Sequence, residues 1–129
     1  MTTTITRHDQ SAMMIRAEDK ILAIDFGTLT PAERLALLPT PDATLVSHQH
    51  GDHFSPDHLR AFGAPVFGPQ DAVSQLQEDM TTTVLRAGET VDVAGFTVTA
   101  IEVDHGPKLS VPIENLGFVI DCPGGHAIF

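Results

Sequence analysis

The chain has a single cysteine, Cys122, so it can build neither an intramolecular disulfide framework nor a Cys-x-x-Cys metal knuckle. Basic residues are scarce too: seven Lys and Arg stand against seventeen Asp and Glu, for a formal charge of −10 and a pI near 4.8. They form no cluster, so bulk binding of nucleic acid is disfavoured and the global field repels polyanions. A bound cation would still make its own site locally positive, and a small anionic substrate remains compatible with this charge. The opening Met1-Thr2-Thr3-Thr4 lacks the basic and apolar regions of a leader, and no apolar run approaches the length of a membrane span. The expectation is a cytoplasmic protein that does not enter a membrane. No Ser-His-Asp order, Walker loop or Gly-x-Gly-x-x-Gly run supplies a catalytic centre. Repeats, linkers and low-complexity segments are likewise missing.

What is present is one domain's worth of chain, residues 1–129, with an ordinary globular composition of 42% hydrophobic and 19% charged residues. Its chemistry is concentrated in Leu45-Val46-Ser47-His48-Gln49-His50-Gly51-Asp52-His53-Phe54, where three histidines and a carboxylate fall within six positions. Neutral imidazole with carboxylate is the usual donor set for zinc and related divalent ions. The preceding Ala43-Thr44-Leu45-Val46-Ser47 is apolar and partly β-branched, a buried strand that ends where the histidines begin. His48 and His50, two apart, point the same way from an extended segment; Gly51 lets the backbone turn and sends Asp52 and His53 elsewhere. Two pairs of donors imply two metals. The plainer alternative is a polar surface loop, which this density and context disfavour.

The rest of the chain reads as short strands with interspersed helices. Ile5 to His8 and Ala12 to Arg16 form an opening hairpin around Asp9-Gln10-Ser11, and Lys20 to Phe26 is a near-continuous apolar strand ending in Asp25-Phe26-Gly27. Thr30-Pro31-Ala32-Glu33 has the pattern of an N-cap, a proline at the first helical position and a glutamate three residues on, so a helix is expected from Thr30 until Pro39 and Pro41 stop it. Ser55-Pro56-Asp57-His58 starts another by the same logic, with His58 read as a surface or supporting residue. Ala64 to Gly68 is a strand and Gln70 to Glu78 a helix burying Ala72, Val73 and Leu76. From Thr82 the pattern shifts to a meander: Thr82–Leu85, Thr90–Val93, Phe96–Val103, then Asn115–Asp121 and a return strand His126–Phe129. Val103-Asp104-His105-Gly106-Pro107 repeats the strand-end histidine arrangement, although His105 beside Asp104 also fits an exposed ion pair. This alternation points to an α/β layered sandwich.

His48-Gln49-His50-Gly51-Asp52-His53 resembles the signature motif of the metallo-β-lactamase-fold metal-dependent hydrolases, and Phe54-Ser55-Pro56-Asp57-His58-Leu59 is similar to its lactonase-like and phosphodiesterase-like branch. The resemblance implies an αββα sandwich, present as its N-terminal part, with the later Gly-Asp pair and last histidine ligand lying beyond the C-terminal end. It implies that His48, His50, Asp52, His53 and His105 hold one or two zinc ions, with manganese or iron as alternatives. Asp52 then also orients the nucleophile as the catalytic carboxylate. Asp25 matches the family's first motif, an aspartate that braces the histidine loop; as a residue type it could equally cap the turn with Gly27. The implied reaction is hydrolysis of an ester, lactone or phosphodiester in a small, anionic substrate through a metal-bound hydroxide. Two other readings compete with it: a non-catalytic metal-binding fragment that needs a complementary chain, and a di-iron, oxygen-reactive relative. His126 and Cys122 are weaker ligand candidates. The apolar ending Ala127-Ile128-Phe129 leads to the expectation of a partner, either a second copy or a complementary C-terminal segment.

Overall fold

A computed structural model describes residues 2–103 and 114–129. Thr3–Arg7 (β1), Met13–Ala17 (β2) and Lys20–Ile24 (β3) run antiparallel in succession, with Ile5 opposite Ile15 and Ile15 opposite Leu22. Ala43–Leu45 (β4), Val66–Gly68 (β5) and Thr82–Val84 (β6) then add in parallel, giving a six-stranded sheet in the order β1-β2-β3-β4-β5-β6. A parallel neighbour cannot be reached by a tight turn, so each of these additions needs a crossover. The crossovers carry Ala32–Leu35 (α1), Pro56–Phe62 (α2) and Gln70–Val73 (α3). Their shared handedness places the helices on one face of the sheet.

Packing bears this out. Leu35 and Phe62 lie against Met14, Ile21 and Ala23, while Leu59, Ala72, Val73 and Leu76 pack with Val46 and Val66. The opposite face of the sheet meets a four-stranded antiparallel meander of Thr90–Val93 (β7), Phe96–Glu102 (β8), Leu116–Cys122 (β9) and Gly125–Ile128 (β10). Ile15, Leu22, Ile24 and Leu45 from one sheet and Val98, Ala100, Phe118 and Ile120 from the other share the central core. β3 and β4 are covered on both sides and are apolar almost throughout, whereas β8 alternates, with Phe96, Val98 and Ala100 buried and Thr97 and Ile101 exposed. The described residues thus form the α, β and β layers of an αββα sandwich. None of their helices is long and apolar enough to cross a membrane.

Local signals fared unevenly. Ser55 caps α2 as expected, accepting from the His58 backbone N–H at 3.2 Å, and Gly63 closes that helix at φ +69°. Thr30 does not cap α1: the helix begins one residue later behind Pro31, and Thr30 Oγ1 is buried with no hydrogen-bond partner among the described residues. The cause is that the Thr30 backbone is held elsewhere, its N–H donating to Gly27 O at 3.2 Å and its carbonyl accepting from His58 Nε2 at 2.7 Å. The helix expected over 70–78 is regular only to Val73, although Ala72, Val73 and Leu76 are buried as read.

Candidate metal centre

β3 and β4 are parallel neighbours with Ile24 opposite Leu45, so both chains leave the sheet side by side at its C-terminal edge. Loops at that edge are where open α/β sheets place their ligands. The Asp25 N–H makes one more bond across the pair, to Leu45 O at 3.1 Å. Asp25 then enters the left-handed region at φ +52°, a conformation that a short polar side chain tolerates. This turn puts the carboxylate beneath the histidine loop. Oδ1 accepts from the Ser47 N–H at 2.7 Å, and Oδ2 accepts from the Ser47 hydroxyl and from His53 Nδ1 at 2.7 Å.

The loop is pinned from several sides. Thr28 N–H donates to Gly51 O at 2.7 Å, and the carbonyl of His50 accepts from the N–H groups of His53 and Phe54 at 2.9 and 2.8 Å. Ser11, in the β1–β2 turn, donates its hydroxyl to Asp52 O at 2.6 Å, and Gln10 Nε2 donates to Asp52 Oδ2 at 3.2 Å. On the far side Gln49 Nε2 donates to Asp71 Oδ2 at 3.3 Å, and Ser47 O accepts from Leu116 N–H of the second sheet at 2.9 Å. The close approach that requires glycine is at position 27, where a Cβ would stand 2.2 Å from the Asp52 carbonyl carbon and oxygen. The backbone turns at residues 51–53 as expected, but the turn does not depend on Gly51 being glycine. Its φ is not in the positive range, and a Cβ there would meet nothing nearer than Thr28 Oγ1 at 3.6 Å.

These restraints gather the imidazoles. The His48 and His50 rings lie 5.1 Å apart between centroids and those of His48 and His53 4.2 Å, while His53 Nε2 is 3.5 Å from Asp52 Oδ2. His48 Nδ1 faces Ser47 Oγ at 2.9 Å. Donor atoms of Asp25, His48 and His53 fall within 4.8 Å of one another. Asp25, however, already accepts from three groups, which suits bracing better than ligation. Burial pushes the Asp25 carboxyl above its ordinary value, against the hydrogen bonds from His53 and Ser47 that pull it down. His53 is held above its own ordinary value, chiefly by that bond to Asp25. Three imidazoles and the Asp52 carboxylate on one loop are a donor set that fits zinc, and iron or manganese as well.

The family profile described as a beta-lactamase superfamily domain matches residues 20–129. The chain belongs to that family. It is similar to a metal-dependent hydrolase of Nitratidesulfovibrio vulgaris, 28% identical over 141 aligned positions that cover all of this chain and 58% of that protein. Among solved structures it is similar to a protein of Parabacteroides distasonis described as a metal-dependent hydrolase, with TM-score 0.81, 18% identity and coverage of 98% of this chain and 59% of the other. The diiron β-hydroxylase CmlA of Streptomyces venezuelae matches with TM-score 0.76 and 16% identity, covering 98% of this chain and 29% of its own. The chain spans about three fifths of the length of the curated relatives it matches.

Within this beta-lactamase superfamily domain, His48, His50, Asp52, His53 and Asp25 are brought together, while His105 lies outside the described residues. His58 donates Nε2–H to the Thr30 carbonyl. His126 and Cys122 belong to the β9–β10 hairpin, where His126 Nδ1 pairs with Asp121 and Cys122 Sγ lies 3.6 Å from Ile120 O. Sequence reading missed Ser47, Ser11 and Gln10. Ser47 did carry a signal, a hydroxyl directly before the first histidine; the other two meet Asp52 across 41 and 42 positions and had none.

Proposed function

We propose that this domain serves a metal-dependent hydrolase that cleaves an ester, lactone or phosphodiester bond in a small, anionic substrate. The observation that carries the reading is the convergence of His48, His50, Asp52 and His53 on one strand-end loop, with Asp25 buried behind it. His48 and His50 hold one divalent cation together with His105, and Asp52 and His53 contribute to a second. When bound, the cations supply Lewis acidity and acidify coordinated water.

The chain's own residues set the conditions for that chemistry. Asp25 keeps the Nδ1 proton of His53 and so leaves its Nε2 as the basic nitrogen on the Asp52 side. Gln10 holds the Asp52 carboxylate by one oxygen, which fixes its direction for orienting a nucleophile. The acidic chain as a whole repels anions, so attraction for an anionic substrate is confined to the loaded site. Zinc is the first expectation. A di-iron centre is the second, favoured by the fold shared with a diiron β-hydroxylase and by donors that suit iron.

The test loads metal-stripped protein with zinc, manganese or iron, measures bound metal by emission spectroscopy and assays bis(p-nitrophenyl) phosphate and a simple lactone. Metal-dependent turnover of either supports hydrolysis. Stoichiometric metal with no turnover of either favours the non-catalytic reading, and failure to bind any of the three metals overturns the site.

A further inference from the structure

We propose that Ser47 is a positioning residue that carries the influence of Asp25 to His48, fixing the proton of His48 on Nδ1 and leaving Nε2 as the nitrogen offered to a metal. As the ionised partner of His53, Asp25 has no proton to give, so all three groups facing it are donors: the Ser47 N–H, the Ser47 hydroxyl and His53 Nδ1–H. Ser47 has one hydroxyl proton, and it is committed to Asp25 Oδ2. Toward His48 Nδ1, 2.9 Å away, Ser47 Oγ therefore presents only lone pairs, and Nδ1 must be the protonated ring nitrogen.

Ser47 has little freedom to do otherwise. Its N–H is tied to Asp25 Oδ1 at 2.7 Å, its carbonyl accepts from Leu116 N–H of the second sheet at 2.9 Å, and it is buried together with Asp25 and His48. One buried carboxylate thereby sets two imidazoles, His53 directly and His48 through a hydroxyl, although the two rings belong to different donor pairs. Outer partners of this kind fix ring orientation and raise ligand basicity, and their loss typically lowers metal affinity by about 10- to 100-fold. This consequence rests on His48 being a metal ligand; the tautomer itself does not.

The experiment is a long-range ¹H–¹⁵N correlation on histidine-labelled, metal-free protein, for the wild type, Ser47→Ala and Ser47→Thr, followed by zinc titration against a competing chelator. The expected wild-type pattern is His48 protonated on Nδ1. Ser47→Thr keeps it and keeps the affinity. Ser47→Ala shifts His48 toward the Nε2-protonated form and weakens zinc by about 10- to 100-fold, with the His53 pattern unchanged. Wild-type His48 protonated on Nε2 would overturn the proposal, as would an alanine variant with the wild-type pattern and affinity. Should Ser47→Ala fail to fold, the wild-type spectrum still decides. Wild-type protein with the expected tautomers and no zinc binding would sink the metal reading while leaving the role of Ser47 standing.

Discussion

Two histidine–aspartate pairs in this chain use the same atoms in opposite surroundings. His53 Nδ1 meets Asp25 Oδ2 with the aspartate side chain fully buried and the histidine a quarter exposed; His126 Nδ1 meets Asp121 Oδ1 with side-chain exposures of 67% and 51%. The first pair lies under a loop and shares its carboxylate with Ser47, while the second bridges neighbouring strands β9 and β10 at a directly opposed position. Water competes for the exposed pair and screens it, so its worth is at most about 1 kcal/mol. Water does not reach Asp25, and each donor aimed at it would be stranded without it. Residue identity makes the pairs look alike; burial makes one a fixed brace beneath the histidine loop and the other a surface contact.

The largest expected difference concerns metal. Replacing His48 and His50 with Ala should abolish stoichiometric zinc, measured by emission spectroscopy, whereas His126→Ala should leave it unchanged. Unchanged zinc in the double variant would remove the histidine loop from the site altogether.

Next comes stability. Asp25→Ala leaves the buried Ser47 N–H and hydroxyl, and the partly exposed His53 Nδ1–H, without their acceptor, and at about 1–3 kcal/mol for each buried stranded group the total should reach about 2 kcal/mol or more in a denaturant melt. Asp25→Asn is milder and should show mainly as zinc affinity lowered by about 10- to 100-fold. If Asp25→Ala costs no more than Asp121→Ala, burial is not what separates the pairs.

The histidine loop was legible because its information is local: His48, His50, Asp52 and His53 are close in sequence and follow an apolar strand. The α/β layered class followed from the order of strands and helices in the same way, and its αββα form from the resemblance that the histidine loop carries. What escaped was long-range. Nothing near Gln10 or Ser11 announces that a turn in the first hairpin will hold Asp52, and nothing near Thr30 says that its carbonyl is taken by His58, which is why a sound capping pattern there goes unused. The glycines teach the same lesson. Gly51 drew attention for its place inside the motif, yet Gly27, on a different strand end, is where the backbones touch.

That contrast gives a smaller prediction. A Cβ at residue 27 would sit 2.2 Å from the Asp52 backbone, where no flexible side chain can yield, so Gly27→Ala must push the loop away from β3. Overpacking of this kind costs about 1–3 kcal/mol and should also weaken zinc, since it displaces Asp52 and His53. Gly51→Ala has room and a permitted backbone angle, and should change stability by about 0.5 kcal/mol or less. Equal melting shifts for the two variants would mean that the loop yields more easily than its hydrogen bonds imply.

The smallest effect expected is at the exposed pair itself. His126 and Asp121 are directly opposed on β10 and β9, so their coupling is a cross-strand term between two solvated side chains. A double-mutant cycle of His126→Ala and Asp121→Ala should return about 0–1 kcal/mol, falling as salt is added, because screening acts fully on charges in contact with water. The same cycle on His53 and Asp25 should return a larger coupling with little salt dependence, since its carboxylate is out of reach of ions. Comparable salt slopes for the two cycles would show that the loop opens to solvent often enough for Asp25 to be hydrated, and the division between a buried brace and a surface pair would fail.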